Sequence, residues 1–346
     1  MGKNTIKDMK ILNPKVALFS DLHLGIYGNS EAWLKIALDW AEWIVAELNF
    51  HEIKDIFFLG DFFHNRSEIS VQTMHVASKI FDILKDFNIL MVIGNHDAFY
   101  KNRSDIHSLG LLSGHQNITI VDKNYVVDAF DNRLLFVPWN NELPDEKFDY
   151  IFGHFEIKSF KMNNFKICDH GLSALDLLSK TDTVFSGHFH HRNAKQYNEG
   201  VINYIGNTFP MDFSDVDNLK GYYILDLETA DLQFFENDIS PRFKKLFVSN
   251  IKTYKKDDIE NNIIKLIIDI EMTDKQVEKI QTYISKFKPF QFNTEYNVVQ
   301  KTLEEVEIDS IDLADQFDEY IEQLKLEEEK QKRVDKIIKE LLLLNR

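Results

Sequence analysis

The chain has 346 residues, 44% of them hydrophobic, and a formal net charge of -16 from 40 basic and 56 acidic side chains. That size suits one large domain with a smaller one, and the acidic balance excludes nucleic-acid binding by net charge alone. The single cysteine, Cys168, excludes an internal disulfide and points to a reducing compartment. No apolar run reaches membrane-spanning length and Met1 to Lys10 is polar, so a soluble, cytoplasmic protein with no membrane contact is expected.

Met1 to Pro14 reads as a loose lead-in in which Met9 to Leu12 could open the first strand. Val16 to Phe19 is an apolar run that ends in Ser20-Asp21-Leu22-His23. After a glycine-rich loop, Ser30 is placed to cap a helix over Glu31 to Asn49, with Trp33, Ile36, Ala37, Trp40, Ile44 and Leu48 at helical spacing. The tryptophans read as core. Ile56 to Leu59 ends in Gly60-Asp61-Phe62-Phe63-His64, and a second helix is predicted over Ser70 to Asp86. Ile89 to Ile93 ends in Gly94-Asn95-His96-Asp97. A polar region carrying Lys101 and Arg103 follows, as loop and short helix. Further strands are expected over Ile118 to Val121, Tyr125 to Ala129 and Leu134 to Pro138. Tyr150 to Phe152 runs into Gly153-His154, and Thr183 to Phe185 into Ser186-Gly187-His188-Phe189-His190. Val201 to Ile205, Tyr222 to Leu227 and Leu232 to Phe235 complete the set.

Short continuous apolar runs are strands buried on both faces. Their number exceeds one parallel sheet, so two sheets packed face to face with helices outside are predicted: an α/β fold, four-layer αββα. From Asn237 the pattern changes to a small α+β unit, with Phe247 to Ser249, Ile263 to Ile270, a helix near Lys275 to Lys286 and a last strand over Val298 to Ile308. From Glu304 to Glu329 there are twelve acids against the single base Lys325, which reads as a solvated helix face. Ser310 could cap a helix through Leu324, and Arg333 to Leu344 carries one apolar stripe.

In open α/β sheets chemistry gathers beyond the carboxyl ends of the strands. Five such ends carry Asp21, His23, Asp61, Asn95, His154, His188 and His190. Carboxylate, imidazole and amide donors without thiolate suit Mn, Fe, Zn or Co rather than Ca. Seven groups exceed the needs of one four-coordinate zinc. They suit two ions about 3.5–4 Å apart sharing a carboxylate. Six histidines fall at strand ends (His23, His64, His96, His154, His188 and His190); the other six, including His170 and His191, read as ordinary, and Cys168 near His170 as a buried or loop cysteine rather than a stray metal pair.

The order Asp-x-His, Gly-Asp, Gly-Asn-His-Asp, Gly-His and Gly-His-x-His, spread over Val16 to His190, resembles the calcineurin-like metallophosphoesterases. The resemblance implies Asp21, His23 and His190 on one metal, Asn95, His154 and His188 on the other, and Asp61 bridging. It implies His96 as the acid for the leaving oxygen, with Asp97 orienting it. His64, three residues after Asp61, and Asp97 closing the Gly-Asn-His piece resemble the SbcD-type double-strand-break repair nucleases rather than the protein phosphatases. So does Asn203 to Phe213 followed by Lys220-Gly221-Tyr222. Gly153-His154-Phe155-Glu156, His170-Gly171 and the length are most similar to the nuclease subunits of T-even-type phages.

That resemblance implies a subunit of an SbcCD-like complex with two divalent ions, Mn first and Mg, Fe, Zn or Co as alternatives. It implies a 3'-5' exonuclease on duplex DNA and a single-strand endonuclease, in a bacterial or phage-infected cell. His64 would place the phosphodiester, and Arg66 would contact phosphate, although no proline follows it as in many relatives. The implied domains are 1–236 for the nuclease, 237–309 for a capping and DNA-binding unit, and 310–346 for helices binding an SbcC-type coiled-coil ATPase. A homodimer through Glu31 to Asn49 and Ser70 to Asp86, within a heterotetramer, is also implied. The rival readings are a phosphatase or cyclic-nucleotide phosphodiesterase on the same scaffold, and a non-catalytic scaffold that recruits an ATPase to DNA ends.

Overall fold

The structure is a computed structural model that describes residues 9–112, 114–162 and 166–297. The strands in chain order are β1 (Lys15–Phe19), β2 (Asp55–Phe58), β3 (Asn88–Val92), β4 (Ile118–Val121), β5 (Tyr125–Ala129), β6 (Asn132–Val137), β7 (Tyr150–His154) and β8 (Thr183–Gly187). They continue as β9 (Asn193–Tyr197), β10 (Gly200–Tyr204), β11 (Gly221–Asp226), β12 (Leu232–Glu236), β13 (Phe243–Phe247), β14 (Ile263–Ile268) and β15 (Gln291–Tyr296). One sheet has the order β12-β11-β1-β2-β3-β4, a second β5-β6-β7-β8-β10-β9, and a third β13-β14-β15. In the first sheet β1 to β4 are parallel. In the second, β6, β7, β8 and β10 are parallel.

Strand periodicity sorts the side chains into layers. Val16, Leu18, Phe57, Leu90 and Val92 from the first sheet meet Leu134, Phe136, Phe152 and Phe185 from the second, all buried between the two. The alternate residues Ala17, Phe19, Ile56 and Phe58 face outward onto the helices Glu31–Phe50 and Val71–Ile83. Those helices bury the predicted stripe Trp33, Ile36, Ala37, Trp40, Ile44 and Leu48, together with Ala77, Ile80 and Phe81. Ser70 caps the second helix by accepting from Thr73 N. Ser30 occupies the cap position of the first without a side-chain cap bond.

The outer face of the second sheet is covered more thinly. Leu135, Val137, Ile151, Val184 and Ile202 pack with Leu177 and Leu178 of the five-residue helix Ala174–Leu178 and with Phe155, Ile157, Phe160 and Cys168. The αββα expectation therefore holds, with its fourth layer mostly irregular chain. Among the described residues no helix is long and apolar enough to cross a membrane.

Some local expectations change. Met9 and Ile11 are buried but join no strand. The edge strand β9 had no apolar run to announce it, because its side chains are all partly or fully exposed. Beyond residue 237, β13 and β14 are parallel, and the helix Asp274–Ser285 leads to β15, which pairs parallel with β14. Phe243 and Ile263 of this unit join the helix-covered core of the first sheet. The strand expected over Val298 to Ile308 and the helices expected from Ser310 to Leu344 lie outside the described residues.

Phe57 sits at the centre of the sandwich, edge-on to Phe136 at 4.9 Å and to Phe152 at 5.1 Å. Phe57→Ala is expected to destabilise the protein by about 3–5 kcal/mol, read as a shift in the urea midpoint without a change in slope.

Candidate metal centre

The parallel strands β1, β2, β3, β7 and β8 point the same way within their sheets, and their carboxyl ends carry the predicted donors. Asp21 and His23 follow β1, Asp61 follows β2, Asn95 and His96 follow β3, His154 ends β7, and His188 and His190 follow β8. The structure brings all seven predicted ligands together in two clusters.

In the first cluster His23 Nε2 lies 2.9 Å from His190 Nε2 and 3.8 Å from Asp21 Oδ1. In the second, Asn95 Oδ1 lies 2.9 Å from His154 Nε2 and 2.8 Å from His188 Nδ1. Asp61 Oδ2 joins them, 3.6 Å from His23 Nε2 and 3.3 Å from His154 Nε2. Donors bound at 2.0–2.2 Å to one ion sit roughly 3.0–3.5 Å apart. The spacings bracket that range, and the oxygen and nitrogen donor set matches a divalent transition metal. The residues present therefore fit a pair of divalent cations.

The backbone that presents these groups is unusual. Asp21, His23, Asp61 and His188 all have positive φ, at 55°, 47°, 59° and 86°. Such conformations are costly for residues with a Cβ and gather at functional sites. Gly94 has a different task. A methyl group on it would collide with Asp61 Oδ1 and Asp61 N, so only glycine lets the β3 end approach the Asp61 carboxylate.

Asp97 behaves differently from expectation. Its buried carboxylate accepts from the backbone N–H groups of Asp61 (2.8 Å), Phe62 (3.1 Å), Phe63 (3.1 Å) and Gly94 (3.0 Å). It orients the Asp61 loop rather than the His96 ring. That ring is held by the His64 carbonyl oxygen, 2.6 Å from His96 Nδ1. The His96 backbone N–H donates to Asp61 Oδ1 at 2.7 Å. The His64 ring stacks on His96 at 5.4 Å, and its Nδ1 lies 3.4 Å from His23 Nδ1. Arg66, half-buried in the next loop, has its Nη1 shielded without a hydrogen-bond partner.

Further residues escaped sequence reasoning. His154 is held from behind by the Leu59 carbonyl, 2.7 Å from its Nδ1, which leaves Nε2 for the cluster. Buried Lys220 pairs with Asp215 at 2.6 Å and donates to the His190 carbonyl oxygen at 2.6 Å. In the sequence Lys220 stood out only within the Lys220-Gly221-Tyr222 stretch, which carried a resemblance but no role for the lysine. Trp139 packs its ring 5.1 Å from that of His188.

Without cations the clusters compensate one another. Burial disfavours a charged His154, but the Asp61 carboxylate beside it, with Asp21 further off, overrides this and pushes the imidazole up to about 9. Burial raises Asp21 to about 7. Burial acts to raise Asp61 too, yet His154 and His23 hold it well below the usual carboxylate range. Burial lowers His190 to about 4 and keeps it neutral, ready to ligate.

Residues 14–192 match the family model described as calcineurin-like phosphoesterase, so the chain belongs to that family of hydrolases, which bind divalent metals. It is 29% identical over 294 residues, 80% of this chain and 81% of the relative, to exonuclease subunit 1 of Enterobacteria phage T4. A solved archaeal phosphodiesterase is 14% identical with a TM-score of 0.37, covering 64% of this chain and 99% of the other.

Two outcomes follow from the geometry. Gly94→Ala should displace Asp61 and weaken metal binding by at least the roughly 10-fold seen for outer-shell changes, measured by calorimetric titration. Metal loading at pH 7 should release protons, because His154 titrates near 9 in the free site and must be neutral to ligate. Affinity should then rise with pH up to about 9, and binding heats should depend on the buffer's ionisation enthalpy.

Proposed function

We propose that the chain is the Mn-dependent DNA nuclease subunit of an SbcCD-like end-processing complex. It would act as a 3'-5' exonuclease on duplex DNA and an endonuclease on single strands. The observation that carries this reading is the shared carboxylate, with Asp61 Oδ2 facing His23 on one side and His154 on the other. The similarity to the phage exonuclease subunit supports both DNA as substrate and the presence of a partner.

Asp21, His23 and His190 would hold one cation, Asn95, His154 and His188 the second, and Asp61 both. Two such ions lower the pKa of a water and neutralise a phosphodiester during in-line displacement. His96 serves as the general acid. With Nδ1–H tied to the His64 carbonyl, Nε2 is the nitrogen left to protonate the leaving oxygen. His64, stacked on it, steers the phosphate, and Arg66 with its unpaired Nη1 contacts the backbone. The unit built on β13 to β15 corresponds to the capping domain of 237–309, and 310–346 is assigned to the ATPase partner. The helices Glu31–Phe50 and Val71–Ile83 are assigned to homodimerisation.

The Mn-loaded protein should degrade DNA. His96→Ala should cut more slowly by roughly 10²–10⁴-fold while still binding both ions. A variant that cut at the wild-type rate would remove His96 from the acid role. Hydrolysis of small phosphate esters with none of DNA would favour a phosphatase or cyclic-nucleotide phosphodiesterase instead.

A further inference from the structure

Among the described residues, one group of metal-binding side chains with donor atoms within 4.8 Å of one another shares no member with the two clusters: Glu156, Cys168 and His170. They lie where the chain leaves β7 and doubles back. Lys158 N–H donates to the Leu172 carbonyl at 3.0 Å, Leu172 N–H to Glu156 at 2.8 Å, Cys168 N–H to Phe160 at 2.8 Å and Ser159 N–H to Cys168 at 2.7 Å. These bonds fix the two segments in register, so Glu156 faces the Cys168-Asp169-His170 turn. Gly171 closes the turn at φ 86°, with its Cα so near the Glu156 carbonyl that any side chain there would collide.

The donors are arranged for a shared ion. Glu156 Oε1 lies 3.0 Å from His170 Nε2, close to the roughly 3.0–3.5 Å between two ligands of one metal. Cys168 Sγ completes the group with all three donor atoms within 4.8 Å of one another, and a metal–sulfur bond of about 2.3 Å makes spacings to sulfur longer than those between nitrogen and oxygen. Asp169 Oδ1 sits 2.7 Å from His170 Nδ1, the outer carboxylate that fixes a ligating imidazole through its far nitrogen. The His170 side chain is 55% exposed, so the site opens to solvent on one side.

We propose that Glu156, Cys168 and His170 form a third cation site, distinct from the phosphoesterase pair and selective for zinc or cobalt. Thiolate, imidazole and carboxylate together favour a borderline-soft ion over the manganese that suits an oxygen-rich set. Three protein ligands with an open position leave room for a water. The site also borders the phosphoesterase centre. Glu156 Oε1 lies 3.6 Å from His188 Nε2, the buried ring nitrogen turned away from Asn95, which has no hydrogen-bond partner. An ion on Glu156 therefore draws on the carboxylate that faces a ligand of the second cluster.

The competing explanation is a cysteine used as a small apolar residue, since Cys168 is buried beside Phe160 in the layer outside the second sheet. Cobalt(II) titration of the full chain separates the two, because Cys168 is the sole cysteine and any thiolate-to-cobalt charge-transfer band must come from it. The expected result is a saturable near-ultraviolet band in the wild type. Cys168→Ser should abolish it, and His170→Ala and Glu156→Gln should each weaken its cobalt affinity by at least about tenfold. His170 is exposed, so that substitution tests the site without risking the fold. A wild type that shows no band at saturating cobalt overturns the proposal, as does a band with unchanged affinity in His170→Ala. Neither outcome bears on DNA cleavage, so this proposal and the nuclease reading stand or fall separately.

Discussion

The structure turns on how one buried carboxylate is held. Asp61 lies between the two clusters, and an unpaired carboxylate in that position would be very costly to bury. Two kinds of contact make it tolerable. His154 and His23 face its side chain, and Asp97 grips the peptide groups of its loop through three successive N–H donors. Asp97 is thus the residue that shapes the loop, and Asp61 is the residue the loop presents. Asp97 uses both oxygens for backbone donors, whereas Asp61 accepts one such bond, from His96 N–H, and turns Oδ2 toward His23 and His154. Their separate tasks explain why two acids so close together do not simply share a proton. Burial and the nearby Asp61 charge raise Asp97 to about 6, while the backbone donors pull it back.

The same electrostatics suit an acidic chain to the phosphodiester substrate proposed above. A protein of formal charge -16 repels DNA at long range. Cations held by the clusters would supply positive charge where the phosphate is proposed to sit, and surface lysines need not. In the free site the charge is partly balanced by the proton that Asp61 holds on His154. On the proposed assignment metal would replace the proton at the same carboxylate, so the fold would tolerate the centre both before and after loading.

Much of this was legible in the residue string. Apolar runs ending in Asp, Asn or His marked both the strands and the side chains that cluster at their ends, because a doubly buried parallel strand needs an unbroken apolar stretch and its end is the first place a polar donor fits. The layers followed from the number of such runs. Other features left no trace of that kind. β9 is an edge strand with exposed side chains, so it lacks an apolar run. β15, with the pattern Gln291–Tyr296, is likewise largely exposed. Asp97 was misassigned because adjacency to His96 suggested a side-chain partner, whereas its acceptors reach peptide groups 34–36 residues away. Lys220 acts on a carbonyl 30 residues distant, which no local pattern encodes.

The left-handed backbone at Asp21, His23, Asp61 and His188 shows what the sandwich contributes beyond burial. Each such residue costs about 1–3 kcal/mol. A loop on a soft surface would relax. Here every one of these residues begins within a few positions of a buried parallel strand, and two sheets lock those strands against one another through Phe57, Phe136 and Phe152. Asp21 N–H and His23 N–H are further tied to the Gly60 and Asp61 carbonyls at 2.9 and 3.1 Å. Ligand directions are therefore set by the rigid layers beneath, before any ion arrives. A pre-set donor geometry of this kind spends little binding energy on ordering and selects ions by the spacing it offers.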